Sequence, residues 1–259
     1  MLSISIITVA YNSAETIGDT LESVRQQTYP CVEHIVVDGA STDGTPDIAR
    51  TFEHVARVVS EPDCGAYDAM NKGIALASGD VIGLLNADDA YVSPEALAWV
   101  AQTLQQTGAD ACYADLQYVR RDQPDRIVRH WHSGPFRPAR FRWGWMPPHP
   151  TFFTYKKYYN ALGAYDTRLR LSADYELMLR FLYKYRLTAA YLPRVLVRMR
   201  TGGMSNASLR QRWRANQEDR LAWQMNNLAP GPLTLWLKPL RKIPQFWPAL
   251  MQWEVGSGK

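Results

Sequence analysis

Apolar runs and one-sided helical patterns alternate along the first half of the chain. A run rich in β-branched residues indicates a buried strand, and apolar residues spaced by three and four indicate a helix. On this basis the pattern predicts strands at 4–11, 34–38, 56–60 and 80–85. Strands and helices that alternate at this spacing form a doubly wound, mostly parallel sheet flanked by helices, so we expect an α/β fold.

Helices are predicted between these strands. The first is predicted to begin at Asn12 as its N-cap, with Glu15 three residues later in an arrangement close to a capping box. Its apolar side consists of Ile17, Leu21 and Val24. The other helices are predicted to begin at Thr45-Pro46, to cover 66–77 and to extend from Ser93-Pro94 to about Gln106.

The second half of the chain has a weaker pattern. Segments 111–119 and 126–131 indicate a pair of strands, and 173–185 indicates a helix. Segment 190–200 indicates another strand. Pro193 within it favours a position at a sheet edge, because proline cannot donate a hydrogen bond to a neighbouring strand.

Polar and acidic residues follow the predicted strands at the point where each strand ends. In doubly wound sheets, ligands bind beyond the carboxyl ends of the strands. We therefore expect a binding site at this edge of the sheet. Its candidate residues are Tyr11-Asn12, Asp38, Glu61 to Asp63, and Asn86 to Asp89.

Asp88 and Asp89 stand side by side in LLNADDAY (84–91), directly after the fourth predicted strand. Adjacent like charges raise each other's pKa unless a cation or hydrogen-bond donors compensate. Grouped carboxylates select hard cations such as Mg²⁺ or Mn²⁺, which complete their coordination with water and substrate phosphates. The alternative is that the two aspartates cap the turn that follows the strand.

Charge is distributed unevenly, although the 259-residue chain has a net charge of only +4. Residues 1–119 contain 4 Lys/Arg and 17 Asp/Glu, whereas residues 120–259 contain 25 and 8. An acidic half and a basic half suit a site that holds a cation and faces phosphates. Two solvated surfaces of opposite charge would give the same counts of charged residues. The 46% hydrophobic content excludes a disordered chain. Three cysteines without metal-binding spacing indicate a reducing compartment; they are Cys31, Cys64 and Cys112.

Five sequence blocks occur in the order and at the separations of one enzyme family: SIITVAYN, VVDGASTDGT, SEPDCGAYDAMNKGIALASGD, LLNADD and SADYELMLRF. Through them the chain resembles family 2 glycosyltransferases of the GT-A fold, over about residues 3–205. It is similar in particular to bacterial enzymes that build exopolysaccharide, capsule or lipopolysaccharide O-units. The resemblance implies a GT-A domain at 1–205, with a nucleotide-sugar-binding half (1–119) and an acceptor half (120–205). A basic, aromatic helical extension at 206–259 follows.

The resemblance implies a role for individual residues. Asp174 is the implied general base, which takes a proton from an acceptor hydroxyl. Asp88 is the implied ligand of Mn²⁺ or Mg²⁺, which neutralises the diphosphate leaving group. Attack on the face opposite the diphosphate implies inversion of the anomeric centre. The residues implied to bind the nucleotide-diphosphate sugar, with UDP the expected nucleotide, are Thr8, Ala10, Tyr11, Asp38, Ser41, Asp43, Asp63, Asn71, Lys72, Asn86 and Asp88.

Three positions depart from the family pattern. Asn86 stands where the first acid of the metal motif is expected, and Met70 stands where many relatives have arginine. The segment RTGGMS (200–205) lacks a histidine that some relatives offer to the metal. We expect Lys72 to supply the missing positive charge and Asp88 to bind the metal alone.

The end of the chain bears on the acceptor and on location. Segment 209–228 is predicted to be a basic amphipathic helix, and 231–253 combines Leu, Trp and Phe with Lys and Arg. That composition suits the surface of a membrane that carries polyprenyl-linked acceptors, whereas its prolines favour a docked tail. Without a signal peptide or an apolar span, we expect a cytoplasmic protein, peripheral on the inner face of the cytoplasmic membrane.

Other functions remain open at this point. Asp174 could serve only a helix start, with Ser172 as the N-cap. A sugar nucleotidyltransferase would require a Gly-rich loop with arginine after the first strand, which TVAYNSAET lacks. A non-catalytic nucleotide-sugar-binding scaffold predicts loss of Asp88 or Asp174, and both are present. A dehydrogenase is disfavoured because no G-x-G-x-x-G follows a strand, and no motif suggests nucleic acid.

Overall fold

A computed structural model describes residues 1–202, 209–231 and 234 of the chain. The strands are β1 (Ile4–Ala10), β2 (Val32–Asp38), β3 (Val55–Ser60), β4 (Val81–Asn86), β5 (Asp89–Tyr91), β6 (Ala111–Val119), β7 (Ile127–Trp131), β8 (Phe153–Tyr155) and β9 (Ala189–Arg200). The α-helices are α1 (Ile17–Arg25), α2 (Thr45–Arg50), α3 (Ala66–Leu76), α4 (Ala96–Thr107), α5 (Lys156–Leu162), α6 (Ala173–Met178) and α7 (Leu209–Met225). Two short 3-10 helices, Pro138–Trp143 and His149–Thr151, and a π-helical segment, Leu179–Lys184, complete the described elements.

A single mixed sheet contains all of these strands. Its parallel part has the order β3-β2-β1-β4, and β8, β6, β9 and β5 follow. β8 is antiparallel to β4 and β6, β9 is parallel to β6, and β5 is antiparallel to β9. β7 pairs with β6 outside this path. The predicted α/β class is confirmed, as are the four parallel strands and the β6–β7 pair.

β1 lies between β2 and β4, and both of its faces are buried. Ile4 and Ile6 pack in the apolar cluster that contains α4, while Ile7 and Val9 pack with α3 and α6. Side chains of a strand alternate between faces, so a strand covered by helices on both sides must be apolar throughout. α3 lies so close to this strand that a Cβ on Gly73 would come 2.3 Å from Ile7 Cγ2.

The carboxyl ends of the parallel strands meet at one edge of the sheet. Asp38 pairs with Ala10 on one side and with Ser60 on the other, and Asn86 pairs with Val9. The polar residues that follow these strands therefore lie along one edge, as the sequence predicts.

The first helix begins later than predicted. α1 starts at Ile17, and Asn12 has a left-handed backbone conformation with φ 47°. Asn12 Oδ1 accepts the Thr42 N–H at 3.1 Å and joins two loops, so the prediction that it caps a helix is wrong. The predicted apolar stripe of Ile17, Leu21 and Val24 is buried.

β9 is not a sheet edge, because it pairs with β6 on one side and with β5 on the other. Pro193 lies where the β6–β9 register shifts, between the Ala114–Leu192 pair and the Asp115–Val195 pair. A bulge leaves a backbone group unpaired, and β5 pairs only with Val197 to Met199, so Pro193 need not donate to a neighbouring strand on either side. The predicted edge position is wrong for this reason.

Other parts of the second half differ in detail. The helix predicted at 173–185 consists of α6 and the π-helical segment, and α7 covers most of the helix predicted at 209–228. β5, β8 and α5 were not predicted. None of the described helices is long and apolar enough to cross a membrane. Most of the predicted tail at 231–253 lies outside the described residues.

Candidate active site

Tyr11 and Asp63 flank Gly39 just beyond the end of β2. A Cβ atom on Gly39 would lie 2.5 Å from Asp63 Oδ2 and 3.3 Å from Tyr11 Cδ2. The Gly65 N–H donates to Asp63 Oδ1 at 2.8 Å. Tyr11 is 67% exposed, although Ala10 before it is buried at the end of β1. An exposed aromatic ring can stack on a nucleobase, and a carboxylate beside it can accept a hydrogen bond from that base.

Asp38 is buried at the end of β2 and organises the strand ends. Its Oδ2 accepts the Ser41 N–H at 2.9 Å and the Ser60 hydroxyl at 2.7 Å, and its Oδ1 accepts the Ser41 hydroxyl. Ser41 Oγ in turn accepts the Asn12 N–H at 2.7 Å. Asp38 and Ser41 therefore lie at the predicted edge, where they order the loops that follow β1 and β2.

Asp43 ties the same two loops together. Its Oδ2 accepts the Ala14 N–H at 2.9 Å, and its Oδ1 accepts the Thr45 N–H at 3.0 Å and the Thr45 hydroxyl at 2.5 Å. The Thr45 hydroxyl, followed by the Ala14 N–H, lowers the pKa of Asp43 and favours its ionised form. In this structure the carboxylate holds the loops and the start of α2.

Asp88 and Asp89 follow β4 in different surroundings. Asp89 is fully buried; its Oδ2 accepts Asn86 Nδ2–H at 3.0 Å, and its Oδ1 has no partner among the described residues. Burial, and then the negative charge of Asp88, raise the pKa of Asp89 well above its usual range. Asp88 is partly exposed, and burial raises its pKa too. The two carboxylates are close, and among the described side chains none donates a hydrogen bond to Asp88.

Two arginines from the second half of the chain oppose this charge. Arg200 ends β9, and its Nη2 donates to an Asp19 oxygen on α1. Arg121 lies in the β6–β7 hairpin, and its Nη2 donates to Glu15 Oε2 at 3.2 Å. The charges of Arg121 and then Arg200 lower the pKa of Asp88 against the larger effect of burial. The excess of Lys and Arg in residues 120–259 predicts that positive charge comes from this half of the chain. It does not single out Arg121 or Arg200.

Asp174 lies in the first turn of α6. Its Oδ1 accepts the Tyr67 hydroxyl at 3.2 Å and the Tyr175 N–H at 2.8 Å, which leaves Oδ2 without a donor among the described residues. Burial, and then the charge of Asp174, raise the pKa of Tyr67 well above its usual range, so the phenol stays protonated. Ser172 occupies the N-cap position, but its hydroxyl donates to the Ala215 carbonyl at 3.2 Å and caps no helical N–H.

Tyr118 is a partly buried residue of β6 on which acids of both groups act. Burial is the main cause of its raised pKa and Arg129 opposes it, but the charges of both Asp89 and Asp174 also raise the pKa of this hydroxyl. Because electrostatic influence falls with distance, Tyr118 lies within reach of the charges of both Asp89 and Asp174.

Thr8 and Asn71 make hydrogen bonds to other residues of the protein. Thr8 is buried in β1, with its Oγ1 2.9 Å from His34 Nε2. Asn71 Nδ2–H donates to the Tyr165 carbonyl at 2.8 Å, and its Oδ1 accepts the Tyr165 N–H at 2.9 Å. Tyr165 stacks on Tyr67, with 5.5 Å between ring centroids. Asn71 therefore supports the partner of Asp174 in this structure.

Lys72 is held at the end of β3. Its Nζ lies 2.9 Å from Glu61 Oε1, donates to the Pro62 carbonyl at 2.8 Å and lies 3.8 Å from Asp68 Oδ2. The hydrogen bond to Glu61 raises its pKa. Met70 is buried. The expected neutralisation of phosphates by Lys72 would require it to leave Glu61.

The oxygen ligands near Asp88 suit a divalent cation that a ligand helps to hold. Within residues 1–202, 209–231 and 234, no three His, Cys, Asp or Glu side chains form a ready-made metal site. Asp88 offers a carboxylate, and Asn86 Oδ1 offers a neutral oxygen because only Nδ2 is used by Asp89. Mg²⁺ and similar cations accept so few protein ligands where phosphates and water complete the coordination. The residues therefore fit a cation bound together with a diphosphate.

Comparison with known proteins identifies the family. The family model Glycosyl transferase family 2 matches residues 5–168. A glycosyltransferase of PGL/p-HBAD biosynthesis from Mycobacterium bovis is 32% identical over 209 residues, which cover 78% of this chain and 78% of that protein.

Solved structures share the fold at low identity. S. aureus TarS 1-349 in complex with UDP-GlcNAc has a TM-score of 0.71 and 18% identity, over 87% of this chain and 65% of that one. The chain thus spans just under two thirds of the TarS fragment. The mannosyltransferase PcManGT from Pyrobaculum calidifontis, in complex with GDP-Man and Mn²⁺, has a TM-score of 0.65 and 20% identity, over 100% of this chain and 76% of that one. With its GT-A-like fold and its match to the family model, the chain belongs to glycosyl transferase family 2.

Proposed function

We propose that this chain is an inverting glycosyltransferase. It moves a sugar from a nucleotide-diphosphate donor, with UDP as the nucleotide, to a glycan or lipid-linked acceptor of a bacterial surface polysaccharide. The observation that carries this proposal is that the partly exposed Asp88 follows β4 at the edge where the parallel strands end, in a chain that belongs to glycosyl transferase family 2. Inverting transfer needs a base beside the acceptor hydroxyl and positive charge beside the diphosphate leaving group, which a cation held by Asp88 would supply.

The donor's base would lie between Tyr11 and Asp63. The exposed ring offers a stacking surface, and the Asp63 carboxylate can accept the single imide N–H of a pyrimidine. Asp38, Ser41 and Asp43 would act by fixing the loops that carry this surface. The nucleotide-sugar complexes of TarS and PcManGT, which share the fold, support a donor of this class.

Asp88 would hold Mn²⁺ or Mg²⁺, with Asn86 Oδ1 as a neutral second ligand. When bound, the cation supplies a Lewis acid that stabilises charge on the departing diphosphate. The chain's own contribution is to place one accessible carboxylate beside a second, buried carboxylate. The Mn²⁺ in the PcManGT complex supports this cofactor.

Asp174 would be the general base. Tyr67 and the Tyr175 N–H hold Oδ1, so Oδ2 remains to accept the proton of an acceptor hydroxyl. Asn71 and Tyr165 hold Tyr67 from behind. A base on the side opposite the leaving group leads to a single displacement, and the anomeric configuration inverts.

Residues 1–119 would form the donor half and residues 120–205 the acceptor half, with 206–259 as an extension. The excess of Lys and Arg in residues 120–259 suits an acceptor that carries phosphate. A polyprenyl-linked acceptor at the membrane surface fits this charge. The M. bovis relative, a glycosyltransferase named for PGL/p-HBAD biosynthesis, supports a role in glycan biosynthesis.

Turnover and donor binding, measured on the same variants, test this function. Wild-type protein is incubated with UDP-, GDP- and dTDP-sugars and a bacterial lipid extract, and release of nucleoside diphosphate is followed. Asp174→Asn should bind the donor normally and lose about 100-fold or more in kcat, whereas Asp88→Ala should lose metal-dependent binding. Asp122→Asn, in the exposed β6–β7 hairpin, is the control and should behave as wild type.

Three results would refute the proposal. Undiminished turnover in Asp88→Ala or Asp174→Asn would remove the roles assigned to these residues. Donor binding by wild type without any turnover would favour the non-catalytic scaffold. A product that retains the donor's anomeric configuration by NMR would exclude inversion.

A further inference from the structure

Arg200 is an unusual side chain because it is buried but makes few hydrogen bonds. It is only 8% exposed. A guanidinium carries five N–H donors, but Asp19 is the one acceptor that the described residues offer, and it is bound by Nη2. The buried Nε has no partner among the described residues. Buried donors without partners are rare in folded proteins and indicate that a further group belongs at the site.

The position of Arg200 suggests what this group is. Arg200 lies at the end of β9, one residue beyond the Asp89–Met199 pair, and thus beside the two aspartates that follow β4. A buried guanidinium with unused donors near the partly exposed carboxylate of Asp88 suits a ligand that combines negative charge with a bound cation, such as a metal-bound diphosphate.

A second arginine whose charge acts on Asp88 is Arg121. It belongs to the β6–β7 hairpin, its side chain is 50% exposed, and its ion pair with the exposed Glu15 is 3.2 Å long. Glu15 and Asp19 lie four residues apart before and in α1, so both arginines are held by the same segment. An exposed pair of this length contributes little stability and exchanges readily for a better anion.

The other cations that the sequence suggests are not available at this place. Lys72 is bound by Glu61 and by the Pro62 carbonyl, and the residue before Asn71 is the buried Met70. Among the described residues, Arg121 and Arg200 are the cations whose charge acts on Asp88. Asn86 is neutral, so the diphosphate needs positive charge from elsewhere in the chain.

We propose that Arg200 and Arg121 bind the diphosphate of the donor, exchanging Asp19 and Glu15 for phosphate oxygens when the donor arrives. This assignment rests on the proposed function, because it presumes a nucleotide-diphosphate donor. Two guanidinium groups offer bidentate hydrogen bonds to phosphate and stabilise the leaving group beside the cation on Asp88. Arg200 is pre-positioned by burial, and Arg121 closes over the ligand from the hairpin.

Binding of UDP and of uridine separates contact with phosphates from contact with the base. Both ligands are titrated in the presence of Mn²⁺ into wild type, Arg121→Gln and Arg200→Gln. Each variant should weaken UDP binding by about 10-fold to 100-fold, since each loses charge-assisted hydrogen bonds, and leave uridine binding unchanged. If uridine does not bind wild type, GDP with guanosine and dTDP with thymidine replace the first pair.

Two matched controls distinguish this role from a structural one. Arg120→Gln removes the neighbouring arginine of the same hairpin, which is 41% exposed and bound to Asp122, and should not change UDP affinity. Asp19→Asn breaks the same ion pair as Arg200→Gln but frees the guanidinium for phosphate. It should therefore leave UDP affinity unchanged or increase it.

Each remaining outcome decides against the assignment. Equal losses in Asp19→Asn and Arg200→Gln would show that only the bridge to α1 matters. Equal effects of Arg120→Gln and Arg121→Gln, or equal losses for UDP and uridine, would also overturn it. If Arg200→Gln does not fold, Arg200→Lys replaces it. Unchanged UDP affinity in both Arg200→Lys and Arg121→Gln would then overturn the assignment. Failure of wild type to bind any nucleoside diphosphate would overturn the proposed function itself.

Discussion

Gly39→Ala tests the nucleotide site without removing a hydrogen-bonding side chain. Gly39 directly follows β2, where a Cβ atom would come 2.5 Å from Asp63 Oδ2 and 3.3 Å from Tyr11 Cδ2. Atoms that are not bonded need about 3.5 Å between them, so the carboxylate must move by about 1 Å. That movement draws Oδ1 away from the Gly65 N–H, to which it is bonded at 2.8 Å.

This displacement should weaken nucleotide binding more than it lowers stability. Asp63 is partly exposed and can rotate into solvent, so we expect the free energy of unfolding to fall by less than about 1 kcal/mol. A shift of about 1 Å in a positioning group can cost up to about 100-fold. We expect the Kd for UDP to rise about 10-fold, which corresponds to about 1.4 kcal/mol.

Calorimetric titration with UDP and Mn²⁺ gives the affinity, and thermal unfolding gives the stability. Gly18→Ala is the control, because Gly18 lies in α1 and a Cβ there meets no atom within 4 Å. It should raise the free energy of unfolding by about 0.5 to 1 kcal/mol and leave the Kd unchanged. Unchanged UDP affinity in Gly39→Ala would refute the reasoning that Tyr11 and Asp63 bind the nucleotide. A loss of several kcal/mol would refute the assumption that Asp63 can move aside.

Three further predictions concern the core, the base and acid stability. Gly73→Ala places a Cβ 2.3 Å from Ile7 Cγ2 between α3 and β1. Urea unfolding should therefore show that the free energy of unfolding falls by about 1 to 3 kcal/mol, and a fall of less than about 0.5 kcal/mol would contradict this packing. Tyr67→Phe removes the donor to Asp174, and steady-state kinetics should show kcat about 10-fold lower with donor Kd unchanged; equal kcat would contradict the positioning role. Burial lowers the pKa of His34 from 6.5 to about 3. As the pH falls, the histidine is therefore protonated in the unfolded chain before it is protonated in the folded one. Its contribution to the free energy of unfolding is fully present above about pH 6.5 and is lost as the pH falls toward 3, with a loss of about 2 to 3 kcal/mol at pH 4.5. Urea unfolding at pH 7 and 4.5 should show a smaller loss in His34→Gln than in wild type, and equal losses would exclude this histidine as the cause.

The parallel part of the fold is predictable from the sequence because each of its strands is a short apolar run. β1 is buried on both faces, so its pattern reflects its surroundings directly. β5 and β8 have three residues each, which is too short for any periodicity to appear. Pro193 misleads because its effect depends on a bulge against β6, and that register is a property of two strands.

The site follows the same distinction between local and distant partners. Asp88 and Asp174 become candidates from the sequence because they belong to local motifs that mark their chemistry. Asn71 belongs to such a motif too, but its hydrogen bonds go to Tyr165, far along the chain, and only the fold reveals them. Arg121 and Arg200 carry no motif, and they become candidates only when the hairpin and the end of β9 meet beside Asp88.

Titration of the purified protein with UDP, GDP and dTDP, each with and without Mn²⁺, in wild type and Asp88→Ala, examines the proposed chemistry most directly. We predict that one nucleotide binds wild type, and that Mn²⁺ increases its affinity about 10-fold or more, because the cation joins Asp88 to the diphosphate. In Asp88→Ala the increase should disappear while metal-free binding remains. Binding of none of the three nucleotides, or an equal effect of Mn²⁺ in both proteins, would contradict a nucleotide-sugar transferase with its cation on Asp88.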